Sequence, residues 1–249
     1  MKQGVPKQRL SLIPTQWSLV QLAHHGSTEA QQSARRQLLD RYGEAVRRYL
    51  RKLLQDPDAV DELFQEFALR LLKGDLRGAN PERGRFRNFV KGTLFHLIAD
   101  YRKQQQRRPG PLPGDDSALA ANPQDADSYR SFVESWCDHL LARSWAALAE
   151  IEAGTGQPCY AVLRFRADHL EMRAPQLAEE LTARLGRAFT AAGVRQTLHR
   201  GRGKFAALLL DEVANSLKSP TAEQVTEELA ELGLLDYCRP ALEQRRLNV

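Results

Sequence analysis

The chain has 249 residues, of which 42% are hydrophobic and 27% charged, and its formal net charge is +5. That length suits one large domain or two small ones with real cores, and no apolar run approaches the roughly 18 residues a membrane helix needs. The modest basic excess admits a polyanionic partner without requiring one, while Cys137, Cys159 and Cys238, scattered and without CxxC spacing, exclude the usual zinc patterns and a disulfide framework, leaving three reduced thiols of a cytoplasmic protein.

Strand signals are nearly absent and apolar residues recur at helical spacing, so the chain reads as all-α. Met1 to Pro14 carries Lys2, Lys7 and Arg9 but no long apolar core after them, and reads as a flexible tail rather than a signal peptide. A first helix is predicted from Thr15 to Ala23, with His24, His25 and Gly26 as its end. Ser27 caps the next, which carries Leu38, Leu39, Tyr42, Val46, Tyr49 and Leu53 on one broad face. Asp56-Pro57 closes that helix and opens another, since proline is tolerated in a first turn. Its stripe is Val60, Leu63, Phe64, Phe67 and Leu71. Gly74 and the segment Arg77 to Gly84 interrupt the pattern, and a long helix is predicted from Arg85 to about Gln106.

Residues 109–127 hold prolines at 109, 111, 113 and 123 and acids at 115, 116, 125 and 127. No packed element suits that composition, so they form a flexible linker. Beyond it, Phe132, Trp136, Leu140 and Leu148 mark one helix. Tyr160, Leu163, Ala167 and Leu170 mark a second. Leu177, Ala178, Leu181 and Leu185, with Pro175 near the first turn, mark a third, and Val194, Leu198, Phe205, Leu209 and Val213 a longer fourth. From Ser219 a short acidic helix carries Val225, Leu229 and Leu232. The expected division is a tail over 1–14, a helical domain over 15–108, the linker over 109–127, a second helical domain over 128–218, and an acidic extension over 219–249.

Positive charge is focused rather than spread. Arg77 to Arg108 holds nine Lys/Arg against two acids; Arg184 to Lys204 holds six and no acid. One basic patch in each domain is the footprint of a protein that meets DNA phosphates at two separate places. The second domain adds a helix-turn-helix pattern. Gly186 ends the helix of Leu177 to Leu185, and Thr190 caps the next. Arg195, His199 and Arg202 then stand at i, i+4 and i+7, with Gln196, Thr197 and Arg200 beside them and Lys204 further on. That is the design of a helix that reads base edges.

The segment Val194-Arg-Gln-Thr-Leu-His-Arg-Gly-Arg-Gly-Lys-Phe resembles region 4 of RNA polymerase sigma factors, where the pattern is roughly V-K-x-R-L-x-R-A-R-x-K-L. Leu177-Ala178 and Leu185-Gly186 resemble the preceding helix. Here Thr197 replaces the usual arginine, and the turn is about two residues longer. Asp61-Glu-Leu-Phe-Gln-Glu-Phe-Ala-Leu-Arg resembles region 2.2, D-x-x-Q-E-x-F-x-R, with Gln65, Glu66 and Arg70 at matching spacing and Asp61 and Leu69 one residue from the acidic and aromatic positions. Gly84-Arg-Phe-Arg-Asn-Phe-Val-Lys-Gly-Thr-Leu-Phe-His-Leu-Ile-Ala-Asp-Tyr-Arg-Lys is similar to regions 2.3 and 2.4. Phe86 and Phe89 fall at aromatic positions, and His96 stands where many members have the asparagine that helps bind a flipped base. Thr15-Gln-Trp-Ser-Leu-Val resembles the start of extracytoplasmic-function-like factors of planctomycete type. Neither region 1.1 nor region 3 is apparent.

The resemblance implies two helical domains, sigma region 2 and a helix-turn-helix region 4, joined by a flexible linker. It implies that core RNA polymerase is bound through Asp61, Glu62, Gln65 and Glu66, whose counterparts meet the clamp coiled coil of the β′ subunit. It implies that the −10 element is held by Arg85, Arg87, Asn88, Lys91, Phe95, His96, Arg102 and Lys103. The −35 element falls to Thr190, Arg195, Gln196, Thr197, His199, Arg200, Arg202 and Lys204. Promoter DNA and core polymerase are the expected partners, with an anti-sigma or other regulatory protein as a further one. No cofactor, metal or membrane is expected. An enzyme reading has little to stand on: Asp61, Glu62 and Glu66 are imaginable metal carboxylates, but no His/Asp set converges on them, and P-loop, GxGxxG, HExxH and GxSxG are all missing. A helix-turn-helix regulator that does not bind polymerase accounts for the second domain and leaves the first unexplained. A scaffold of helical bundles accounts for neither charge focus.

Overall fold

The computed structural model describes residues 16–54, 56–74, 86–107, 126–217 and 220–247. Among them it places ten helices and no strand, which is the all-α class the periodicity predicts. They are α1 (Gln16–His25), α2 (Thr28–Leu53), α3 (Pro57–Lys73), α4 (Phe86–Arg107), α5 (Ala126–Thr155), α6 (Cys159–Asp168), α7 (Ala174–Leu185), α8 (Ala191–Asn215), α9 (Ala222–Glu231) and α10 (Leu235–Leu247). The tail, the interruption before α4 and residues 109–125 of the expected linker lie outside the described residues; Ala126 and Asp127 already belong to α5.

Packing divides the chain into two units. The first comprises Met1–His139 with Ala214–Val225, and the second Leu140–Val213 with Thr226–Val249. Helix α5 therefore contributes its first half to one and its second half to the other.

In the first unit the local signals act as chemistry requires. The Ser27 hydroxyl accepts from the Ala30 amide at 3.4 Å, and the Asp56 carboxylate accepts from the Asp58 amide at 3.0 Å with Pro57 in the first turn. Gly74 closes α3 in the left-handed region, at φ +81°. A Cβ there would also collide with the Arg35 guanidinium. Arg35 ties two helix ends together. Its Nε and Nη2 donate to the Ala23 carbonyl at 3.1 and 2.9 Å, and its Nη1 donates to the Leu72 carbonyl at 3.1 Å. One side chain thus satisfies orphan carbonyls at the ends of α1 and α3.

The core of this unit is built from Leu38, Tyr42, Val46 and Tyr49 of α2, Val60, Leu63, Phe67 and Leu71 of α3, and Phe86, Val90, Leu94, Leu97 and Ile98 of α4. The first half of α5 completes it. Trp136, 1% exposed, stacks on Tyr42 with centroids 5.1 Å apart and planes 4° off parallel, while Tyr42 also meets Phe86 at 5.0 Å. Phe132 stands edge-on to Tyr49 at 5.4 Å. Outside these rings, Lys52 pairs with Glu134 at 3.4 Å and Arg48 with Asp138 at 3.8 Å. Offset and edge-on aromatic pairs stabilise beyond the area they bury.

In the second unit, Pro158 precedes α6 without a capping side chain. Glu152 of α5 supplies the missing acceptor, taking the Tyr160 and Ala161 amides at 2.7 and 3.0 Å. Gly201 of α8 lies close to α6, where a Cβ would stand 3.2 Å from the Cys159 carbonyl. Leu170, expected on α6, falls beyond its end and is 72% exposed. The tail forms two helices rather than one. In this unit Tyr237 of α10 meets Phe205 edge-on at 6.0 Å, and Arg245 pairs with Asp211 of α8. Burial pushes the neighbouring Cys238 thiol up to about 11.

Candidate polymerase and nucleic-acid surfaces

Helix α4 sorts its residues by a 100° advance per position. Phe86, Arg87, Val90, Leu94, Leu97 and Ile98 turn inward. On the opposite side Asn88, His96 and Lys103 are exposed, and Lys91, Phe95 and Arg102 partly so. Gly92 sits within this outer face and leaves open space beside it, since a Cβ there would meet nothing within 4 Å. Six of the eight residues expected at the −10 element thus share one face. Arg87 does not: it is 1% exposed, on the same side as Val90, Leu94 and Ile98, and is unavailable to DNA. Its i+3, i+7 and i+11 relation to those three apolar residues is readable in the chain. Arg85 lies outside the described residues.

The face of α3 expected to meet polymerase carries Asp61, Glu62 and Gln65 exposed and Glu66 partly buried. Two of its acids already have cationic neighbours. Arg47 of α2 reaches Asp61 at 3.4 Å while lying 3.8 Å from the Phe64 ring centroid, and Arg70 holds Glu66 at 2.8 Å. Exposed pairs of this kind contribute little stability. Glu62 and Gln65 make no side-chain bond among the described residues, so they are the pair most open to a partner.

In the second unit a short turn joins α7 to α8. Gly186 ends α7 in the left-handed region at φ +64°, with its amide on the Thr182 carbonyl. The Thr182 hydroxyl accepts from the Phe189 amide at 2.9 Å, ordering the turn, and Thr190 caps α8 by accepting from the Gly193 amide at 3.0 Å. Val194 and Leu198 are buried. Arg195, Gln196, His199, Arg200 and Arg202 are exposed along one outer stripe. Thr197 and Lys204 lie off that stripe and are partly buried, and the Lys204 ammonium donates to Gln157 at 3.0 Å. A groove of about 530 Å³ runs beside the stripe, and Arg166, Arg173, Arg195, His199 and Arg202 line it. Arg166 also fixes the bend before α7 by donating to the His169 and Met172 carbonyls at 3.1 and 2.6 Å.

Among the described residues no group of three or more His, Cys, Asp or Glu is arranged to hold a metal ion, and no helix is long and apolar enough to cross a membrane. No curated protein and no solved structure matches the chain. Residues 38–108, which span most of α2, all of α3 and all of α4, match the family model of sigma-70 region 2. The match covers less than a third of the chain, and over that stretch the chain is similar to sigma-70 region 2.

Proposed function

We propose that the chain is a compact sigma factor of the extracytoplasmic-function type, of the planctomycete-like kind, which carries core polymerase to promoters and assists their opening. In this reading α3 docks on the polymerase through Asp61, Glu62, Gln65 and Glu66. The outer face of α4 holds the unpaired −10 strand, with Asn88, Lys91, Phe95, His96, Arg102 and Lys103 as its contacts. Helix α8 enters the −35 major groove with Arg195, Gln196, His199, Arg200 and Arg202 forward. Thr190, Thr197 and Lys204 take its flank. The protein works beside the polymerase in the cytoplasm, and an anti-sigma type regulator is its further partner. The observation that carries this reading is the joining, in one helix of the matched region, of rings, cations and His96 on a single outer face. Opening DNA requires stacking surfaces beside cations, and a flipped base needs polar groups around it. Co-purification with core polymerase followed by run-off transcription tests it; a chain that binds promoter-like DNA but not core polymerase would instead be a plain helix-turn-helix regulator.

His96→Ala should impair strand opening while sparing the closed complex. Permanganate reactivity of unpaired thymines, read beside a gel shift with holoenzyme, separates the two steps. Loss of both signals together would make His96 structural, and loss of neither would move the pocket toward Asn88.

Arg195→Ala and Arg202→Ala should each weaken promoter use by about 1–3 kcal/mol if a base is read, and uniformly across sequences if only phosphate is touched. Comparing matched and altered −35 elements decides, and an equal loss on both rules out base reading by that residue.

A further inference from the structure

Helix α5 brings to the α4 face a residue that lies outside the matched region. Tyr129 is 39% exposed, and the Lys91 ammonium stands 4.5 Å from its ring centroid and 5.8 Å from that of Phe95. We infer that Tyr129 is a nucleobase-stacking site for single-stranded DNA, sharing Lys91 with Phe95, so that a base lies on the tyrosine ring while the ammonium meets the strand's phosphate. The inference rests on the reading of α4 as the strand-holding face and extends that face to a second helix.

Three observations carry it. Tyr129, Phe132 and Trp136 stand at i, i+3 and i+7 on one face of α5, yet only the last two serve the core, at 3% and 1% exposure. A ring needed for packing alone would be covered as they are. Phe132 and Trp136, seated on Tyr49 and Tyr42, hold α5 against rotation, so the exposed ring is presented at a fixed place. The Lys91 ammonium stands over the Tyr129 ring and near that of Phe95, and at the next residue, Gly92, a Cβ would meet nothing within 4 Å. Rings flanking a cation at an open surface are the elements of sequence-tolerant single-strand binding.

Photochemical cross-linking reads the stack directly. The full chain, assembled with core polymerase, is irradiated with an oligothymidine strand carrying 5-iododeoxyuridine, and the cross-linked peptides are identified by mass spectrometry. A cross-link at Tyr129 in addition to one on α4 is expected. In parallel, Tyr129→Phe should keep strand affinity within about twofold, while Tyr129→Leu, which retains bulk but no ring, should lower it about fivefold or more. Cross-links at Phe95 or His96 with none at Tyr129, or equal affinities for the two variants, would overturn the assignment of Tyr129 and leave the α4 reading intact. Absence of cross-links from both helices would overturn the two together.

Discussion

Trp136→Ala should cost the first unit about 3–5 kcal/mol, a large part of the roughly 5–15 kcal/mol that holds a typical domain together. The indole is 1% exposed and stacked on Tyr42, with Phe132 at 6.0 Å and His139 at 6.3 Å, so its removal leaves a cavity ringed by aromatic groups that cannot collapse onto one another. Trp136→Phe keeps a ring against Tyr42 and should lose markedly less. Urea unfolding followed by circular dichroism measures both, and is independent of the lost indole fluorescence. A loss below about 1 kcal/mol for the alanine variant would mean that the first half of α5 is not held to α2. A chain cut after Arg108 gives up the same contacts and should show the same defect.

The second large effect concerns polymerase binding. Glu62→Lys with Gln65→Lys should lower core affinity about tenfold to a thousandfold, because like charges brought together across an interface cost several kcal/mol. Both side chains are exposed and bond to nothing among the described residues, so the helix should survive the change. Gln65→Ala with Glu66→Ala should act in the same direction, with the loss of the Arg70 pair as an added local effect. Co-elution with core polymerase, beside a thermal melt of the free variant, is the check. Unchanged affinity in both variants would take the polymerase contact away from α3.

Much of the architecture is legible because the helices carry their own punctuation. Ser27, Asp56-Pro57, Gly74, Gly186 and Thr190 each act as their chemistry predicts, since caps and turns depend on neighbours three or four residues away. Helix faces are harder. Counting charge groups Arg87 with the cations of its segment, but a count carries no phase; only its register with Val90, Leu94 and Ile98 shows that it turns inward. Phe132 and Trp136 are readable as an apolar stripe, but nothing local names their partners, which stand some ninety residues earlier in α2. The same gap conceals Tyr129. Helix α10 escapes the pattern because its buried stripe, Cys238, Ala241 and Leu242, is short and set in a polar, proline-containing sequence; Tyr237 on Phe205 and Arg245 on Asp211 add to it.

The discontinuous make-up of the first unit has a consequence for biosynthesis. That unit draws on Met1–His139 and again on Ala214–Val225, with most of the second unit between them in the chain. At about 5–20 residues per second, the ribosome needs roughly 5–15 s after His139 to deliver the last of those residues. During that interval the nascent chain can settle α1 to α4 and the aromatic seat of Trp136, but not the segment that arrives last. Contacts between residues so far apart in sequence also slow folding. A stall or truncation between residues 140 and 213 should therefore yield a first unit more open to proteases than the finished one. The rate at which the first unit is completed would then be set by elongation through the second.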